Sequence, residues 1–339
     1  MVRRLDFADG VRWVARVRLP PEATCVPLDG YDSRRAFEIE VAGMKFLKSK
    51  TTIPVPEVFV YDHDPSNRIG APYMLIEYIH GSTASDLWSI KNCAPSTYGT
   101  PEQDRKFRQQ LAKIQAQLLA FQFPQIGSLY YDKEADSFYI GQDIDIGKGP
   151  WTSSADYYRD LTDVFMKRDA ARRHVVPKRR TYFCTPVLLN HLMSIHGTGK
   201  TGPYSLINRD LGAHNVLVDN EFNIVGVIDF DGVFAGPPEA VAQYPRFTCL
   251  EVEAPYVVET NPYALERIEA TKPRLAEYRD WLIKYEAELG NGTAPIGSLL
   301  GSRGAIIHYG FETCGAMFVF RNEEWFNSAV AMLREYCEA

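Results

Sequence analysis

SLINRDLGAHNVLVDNEFNIVGVIDFDG spans residues 205–232. Two short apolar runs, VLVD and IVGVID, flank a turn at Asn220-Glu221 and read as a β-hairpin. Asp210 and Asn215 stand five residues apart on the loop entering the first strand, and Asp229 ends the second. Closing the hairpin brings all three side chains to one edge. An Asn and an Asp that converge offer oxygen ligands of the kind Mg²⁺ takes, often together with substrate phosphates. A nearby Asp that binds no metal can accept a proton from a hydroxyl. Positioning, metal and a weak base are the parts of phosphoryl transfer.

Upstream, MVRRLDF and VRWVARVRL alternate with period 2 around Ala8-Asp9-Gly10, a strong hairpin signal. In SRRAFEIEVAGMKFLKSK, Phe37, Val41, Met44 and Leu47 recur at helical spacing, and Ser33 is placed to cap the start. EVFVYD and APYMLIEYI then read as two more strands, so residues 1–80 predict β-β-α-β-β. Helical patterns follow. Thr100-Pro101-Glu102-Gln103 has the form of a capping box with Pro at the first position. Phe107, Leu111, Ile114 and Leu118 continue it as one stripe. Further helices are predicted at 154–172, 182–195, 264–289, 297–319 and 323–337, with Pro273 breaking or kinking one of them. The expected architecture is α+β: a small antiparallel β lobe with one helix (1–80), a hinge at 77–81, and a large, mainly helical lobe (82–339).

With 339 residues, 45% of them hydrophobic and 24% charged, the chain has a globular composition. A net charge of −6 speaks against a broad grip on nucleic acid, and no apolar run is long enough to predict a membrane span. The N-terminus lacks the apolar core of a signal peptide, and the six scattered cysteines form no CxxC pair. Both observations suit a reducing, cytoplasmic setting. The oligomeric state is left open.

Asp210-x4-Asn215 followed by Ile228-Asp229 resembles the catalytic and metal-binding loops of the aminoglycoside phosphotransferase/choline kinase-like family. That family has the two-lobe protein-kinase-like fold. DLGAHNVLVD, VIDFDG and AQYPRF are most similar to its fungal-type branch. WVARVRLP resembles the small-lobe strand that carries a phosphate-contacting cation, which implies that role for Arg16. FEIEVAGMKFL resembles the following helix and implies Glu40 as the partner of Arg16, with Glu38 competing from two residues away. YMLIEYIHG resembles the last small-lobe strand and hinge, implying adenine binding at the backbone of Glu77, Tyr78 and Ile79. The resemblance thus implies an ATP- and Mg²⁺-dependent kinase acting on a hydroxyl of a small molecule, with Asp210 as base and Asn215 and Asp229 as metal ligands. MVRRLDF resembles the family's second strand, so the first strand and the nucleotide-covering loop are expected to be missing and nucleotide binding to be weak. The family usually reads His-Gly-Asp where this chain has Asn208-Arg209-Asp210, an exchange expected to loosen the loop. These departures favour a second reading: a kinase-fold protein that has lost phosphoryl transfer and serves as a binding module or for other chemistry.

Other motifs have plainer readings. IVGVIDFDG also resembles the nucleophile motif of haloacid-dehalogenase-like phosphatases, with Asp229 as nucleophile and Asp231 as acid/base, but Asp280 is the sole Asp after it. GTGKT (197–201) lacks the first glycine of a phosphate-binding loop and reads as a surface loop. His214 reads as a hydrogen-bonding loop residue, and the basic run 166–180 as a solvated helix face. Asn291-Gly-Thr is a glycosylation sequon of no use in the cytoplasm.

Overall fold

The computed structural model describes residues 1–18, 32–89, 97–171, 184–199, 201–290, 295–315 and 321–338. The Asn291 sequon, Lys200 of GTGKT and residues 172–180 of the basic run lie outside them.

The first 80 residues form β1 (Val2–Asp6), β2 (Arg12–Val17), α1 (Ser33–Lys50), β3 (Val58–Asp62) and β4 (Tyr73–Glu77), in the expected order. The strands make one antiparallel sheet in the order β1-β2-β4-β3. Gly10 turns the β1–β2 hairpin at φ +84°, a conformation that costs glycine little. The predicted stripe on α1 is buried, and Ala36, Ile39, Glu40, Ala42 and Phe46 are buried too. A helix covered nearly all round must be packed on more than one side. Asp32, not Ser33, caps it: the Asp32 carboxylate accepts from the backbone N–H of Arg34 and Arg35.

Beyond Glu77 come β5 (Ser82–Thr83), β6 (Trp88–Ser89), β7 (Thr97–Tyr98), α2 (Pro101–Leu119), β8 (Gln122–Phe123), β9 (Gly127–Asp132), β10 (Ser137–Gly141), α3 (Ser154–Ala171) and α4 (Thr185–His196). β11 (Tyr204–Asn208), β12 (Val216–Val218), β13 (Ile224–Val227), β14 (Val233–Gly236) and α5 (Pro238–Val241) follow, then α6 (Pro262–Glu288), α7 (Arg303–Gly315) and α8 (Arg321–Glu338). The capping box of α2 is present in full, and its stripe is buried.

Two features correct the sequence reading. This part contains a five-stranded antiparallel sheet, β10-β9-β14-β11-β8, besides the predicted β12–β13 hairpin. Pro273 lies inside α6 without ending it. It is exposed, so the carbonyl it leaves without a partner can face water.

α1 packs against both β3 and β9. Phe46 meets the rings of Phe121 and Phe138 at 4.8 and 5.1 Å, and Lys45 lies 5.0 Å above the Tyr131 ring. One apolar cluster therefore runs from the first sheet through α1 into the helices.

Candidate active site

Strand alternation puts Arg16 and the following Arg18 on the same face of β2, turned toward α1. Arg16 Nη1 is 2.8 Å from Glu40 Oε1, and Arg18 Nη2 is 2.9 Å from Glu40 Oε2. Both cations also reach the turn after β13: Arg16 through its other terminal nitrogen, Nη2, 2.9 Å from Asp229 Oδ1, and Arg18 through the same Nη2, 3.0 Å from Asp231 Oδ2. The result is an alternating array, Asp229–Arg16–Glu40–Arg18–Asp231. Glu40, 1% exposed, is its centre. Burial pushes its pKa up to about 7 against the pull of Arg16 and Arg18. Glu38 points elsewhere and pairs with Arg34 at 3.1 Å. Burial, and then the neighbouring Asp229, also raise Asp231.

Gly43 lets α1 approach the IDFD turn. A Cβ there would sit 2.8 Å from Val233 Cγ2 and 3.0 Å from Phe230 Cβ. Asp229 itself has φ +65°, a left-handed conformation uncommon outside glycine, and such strain gathers at functional sites.

Asn208 joins this turn to the loop before β12. Its Nδ2 donates to the Asp229 carbonyl at 3.0 Å, while its Oδ1 accepts from the Asp210 backbone N–H at 3.1 Å. A short amide thus makes both bonds at the position where the family usually has His. Asn215 Nδ2 donates to Asp210 Oδ2 at 2.8 Å and to the Asp210 carbonyl at 3.1 Å. The Ile228 N–H donates to the Asn215 carbonyl at 2.9 Å, which holds Asn215 beside the end of β13. His214 Nε2 lies 3.2 Å from Asp210 Oδ1, the loop role expected of it. Burial works to raise Asp210, but bonds from His214 and Asn215 and the nearby Arg246 outweigh it and hold the carboxyl below its usual range. Asp210 is therefore an ionised acceptor on the wall of a cavity of about 200 Å³ that Asp231, Arg209 and Arg246 also line.

Glu77, Tyr78 and Ile79 lie apart from this cluster, where β4 leaves the first sheet. The Glu77 carboxylate is occupied by Lys48 Nζ at 3.1 Å and the Glu57 N–H at 3.0 Å. Ile79 lies over Gly226 of β13, where a Cβ would meet its Cδ1 at 3.0 Å.

Sequence reasoning missed four residues of the site. Arg18 was detectable as the i+2 neighbour of Arg16. Arg209 is a second: half-buried, it pairs with Asp143 at 2.9 Å and Asp145 at 3.0 Å and lies 4.3 Å above the Phe234 ring. Arg246 falls within the quoted AQYPRF, yet nothing local says that its backbone pairs with the loop before β12. Its N–H donates to the Leu211 carbonyl at 2.9 Å, and its carbonyl accepts from Ala213 at 3.2 Å. Glu312, on α7, pairs with Arg246 at 3.3 Å. Although burial opposes it, Arg246 and His308 bring Glu312 down to about 2.

The chain matches the phosphotransferase enzyme family over residues 4–240. It belongs to that family. Its fold agrees with those of solved family members: a Ralstonia eutropha protein provisionally named an aminoglycoside phosphotransferase (TM-score 0.56, 14% identity, 98% of this chain and 92% of that one), and macrolide 2′-phosphotransferase MphH of Brachybacterium faecium (TM-score 0.52, 14% identity, 97% and 86%). A thermostable variant of aminoglycoside phosphotransferase APH(4)-Ia, solved with AMP-PNP and hygromycin B, aligns at TM-score 0.50 and 15% identity over 98% and 93%. Among curated relatives, the subtelomeric hrmA-associated cluster protein of Aspergillus fumigatus is 35% identical over 97 residues, 29% of this chain and 18% of the relative. Altered inheritance of mitochondria protein 9 of Clavispora lusitaniae, named as mitochondrial, is 24% identical over 65% of this chain and 45% of its own length. The chain thus spans less than half of these two curated relatives. Asp280, which the phosphatase reading would need near Asp231, is exposed on α6. No described helix is long and apolar enough to cross a membrane.

Proposed function

We propose that this chain transfers the γ-phosphoryl group of ATP to a hydroxyl of a small molecule. One observation carries the reading: Asp210, an ionised acceptor, is held by Asn215 on the hairpin edge where Asp229 meets the Arg16–Glu40 pair. In this reading Asp210 orients and deprotonates the acceptor hydroxyl. Arg16, braced by Glu40, contacts the nucleotide phosphates, and the backbone of Glu77, Tyr78 and Ile79 frames the adenine. The binding of AMP-PNP by a fold relative supports ATP as donor. Residues 1–80 serve as the small lobe, 77–81 as the hinge and 82–339 as the large lobe.

The donor set suits Mg²⁺. Among the described residues no three His, Cys, Asp or Glu side chains gather as a metal cluster. Mg²⁺ needs no such cage, since it takes one or two protein oxygens and completes its shell with phosphates and water. Asp229 has one carboxylate oxygen on Arg16, and Asn215 spends its amide nitrogen on Asp210, so Asp229 and Asn215 would hold the ion by their remaining oxygens. When bound, Mg²⁺ neutralises phosphate charge. The cysteine pattern supports a cytoplasmic setting, and the yeast and Aspergillus relatives support a fungal branch.

The test is label transfer. Incubation with γ-labelled ATP, Mg²⁺ and a metabolite extract should mark a small molecule with the native chain and not with Asp210→Asn. No labelled product with either would sink the proposal. The second reading, a fold that has lost transfer, is favoured by one contact: Arg16 is tied directly to Asp229, the residue that must receive the metal. Absence of any Mg²⁺-ATP binding would favour it.

A further inference from the structure

A cavity of about 280 Å³ opens between the segment after α5 and helix α7, and it shares Arg246 with the cavity at Asp210. Phe247, Leu250, Val252 and Tyr309 give it an apolar wall. Its connection to Asp210 is short. The Phe247 ring lies 4.9 Å from the His214 ring, His214 contacts Asp210, and Arg246 lines both this cavity and the one at Asp210. Phe247 is 62% exposed, so its ring is open to a molecule entering from solvent.

The charges on this wall are already matched. Glu312 is occupied by Arg246 at 3.3 Å and approached by His308 Nε2 at 3.6 Å. Glu251 is occupied by Arg267 at 2.7 Å. A polycationic amino sugar needs carboxylates without partners, because an ammonium desolvated without one is costly. The described lining supplies none.

We infer that the acceptor pocket is built for an uncharged molecule with an apolar body and a hydroxyl, not for an aminoglycoside. The inference rests on the reading of Asp210 as base, because the pocket is assigned by its continuity with that residue. Phe247 and Tyr309 would hold the apolar body, and the hydroxyl would turn toward Asp210.

Calorimetric titration of the full chain with 2-(2-naphthyl)ethanol, 4-phenylbutan-1-ol and geraniol tests it, with 2-(2-naphthyl)ethylamine and hygromycin B as charged counterparts. At least one alcohol should bind, and at least tenfold more tightly than the amine or hygromycin B. Phe247→Ala should weaken that alcohol at least fivefold. Val252→Glu, which adds an unmatched carboxylate at a half-buried position, should narrow or reverse the preference over the amine. Binding by none of the alcohols, binding of the amine or hygromycin B as tight as the best alcohol, or indifference to both substitutions would overturn the inference. Failure of the kinase reading looks different: the alcohols bind, yet Mg²⁺-ATP neither binds nor is consumed.

Discussion

Asn208 donates from Nδ2 to the backbone carbonyl of Asp229 at 3.0 Å, so the last residue of β11 sets the backbone of the turn after β13. Its Oδ1 positions Asp210, which makes this buried amide the link between the proposed base and the proposed metal ligand. Removing it leaves a part-buried carbonyl and N–H without this partner, at about 1–3 kcal/mol. Asn208→Ala should lower the urea unfolding free energy by that amount and reduce turnover. Unchanged stability would show that the link carries no weight.

Gly232 stands where a side chain would collide with that link. A Cβ would lie 2.8 Å from Asn208 Oδ1 and 3.1 Å from the Asp210 nitrogen. Gly232→Ala should destabilise the fold by about 1–3 kcal/mol, as overpacking does, and should impair transfer more than nucleotide binding. Crystallography of the variant should find Asn208 displaced. An undisturbed Asn208 at native activity would contradict this account.

The proposed roles of Asp210 and Asp229 separate cleanly by measurement. Asp229→Ala should abolish the Mg²⁺ dependence of ATP binding in calorimetry while the chain stays folded. Asp210→Asn should bind Mg²⁺-ATP nearly as the native chain does and lose roughly 10²–10⁴ in turnover. Native Mg²⁺-ATP affinity in the first, or native turnover in the second, would remove the corresponding assignment.

Two glutamates, Glu40 buried and Glu312 half-buried, should titrate with opposite effect. Glu40 is raised from 4.5 to about 7, chiefly by burial, so the folded chain holds its proton more tightly than the unfolded chain. Its contribution to stability is complete below about pH 4.5 and is lost as pH rises through 7, by roughly 3 kcal/mol. Glu312 is lowered from 4.5 to about 2. Its contribution is present above pH 4.5 and is lost as pH falls toward 2, again by roughly 3 kcal/mol. Urea midpoints measured across pH should lose their decline between pH 5 and 7 in Glu40→Gln. They should lose part of their acid decline in Glu312→Gln. Parallel pH curves for a variant and the native chain would refute that residue's shift.

What the sequence disclosed follows from where each signal was stored. The β1–β2 hairpin, α1 and the capping box of α2 carry local signatures, and the structure has them. β9 does not: its first four residues are all buried, so the period-2 alternation that marks a half-exposed strand is absent. Its turn to β10 uses Asp132 as acceptor and Asp136 at φ +44°, without glycine or proline to announce it. Asp210, Asn215 and Asp229 were visible because a spacing holds them together. Arg246 and Glu312 meet only through tertiary packing, and 65 residues of intervening sequence give no hint of the pair.

α1 is clamped between two sheets, with Phe46 among aromatic rings on the side away from β3. A switch that worked by swinging this helix would have to pull Glu40 from its two arginines. It would also have to draw a phenylalanine out of a filled aromatic pocket, at about 1.5–3 kcal/mol for that side chain alone. The Arg16–Glu40–Arg18 contacts are therefore set when α1 packs, and a switch in this chain would have to act through a segment other than α1.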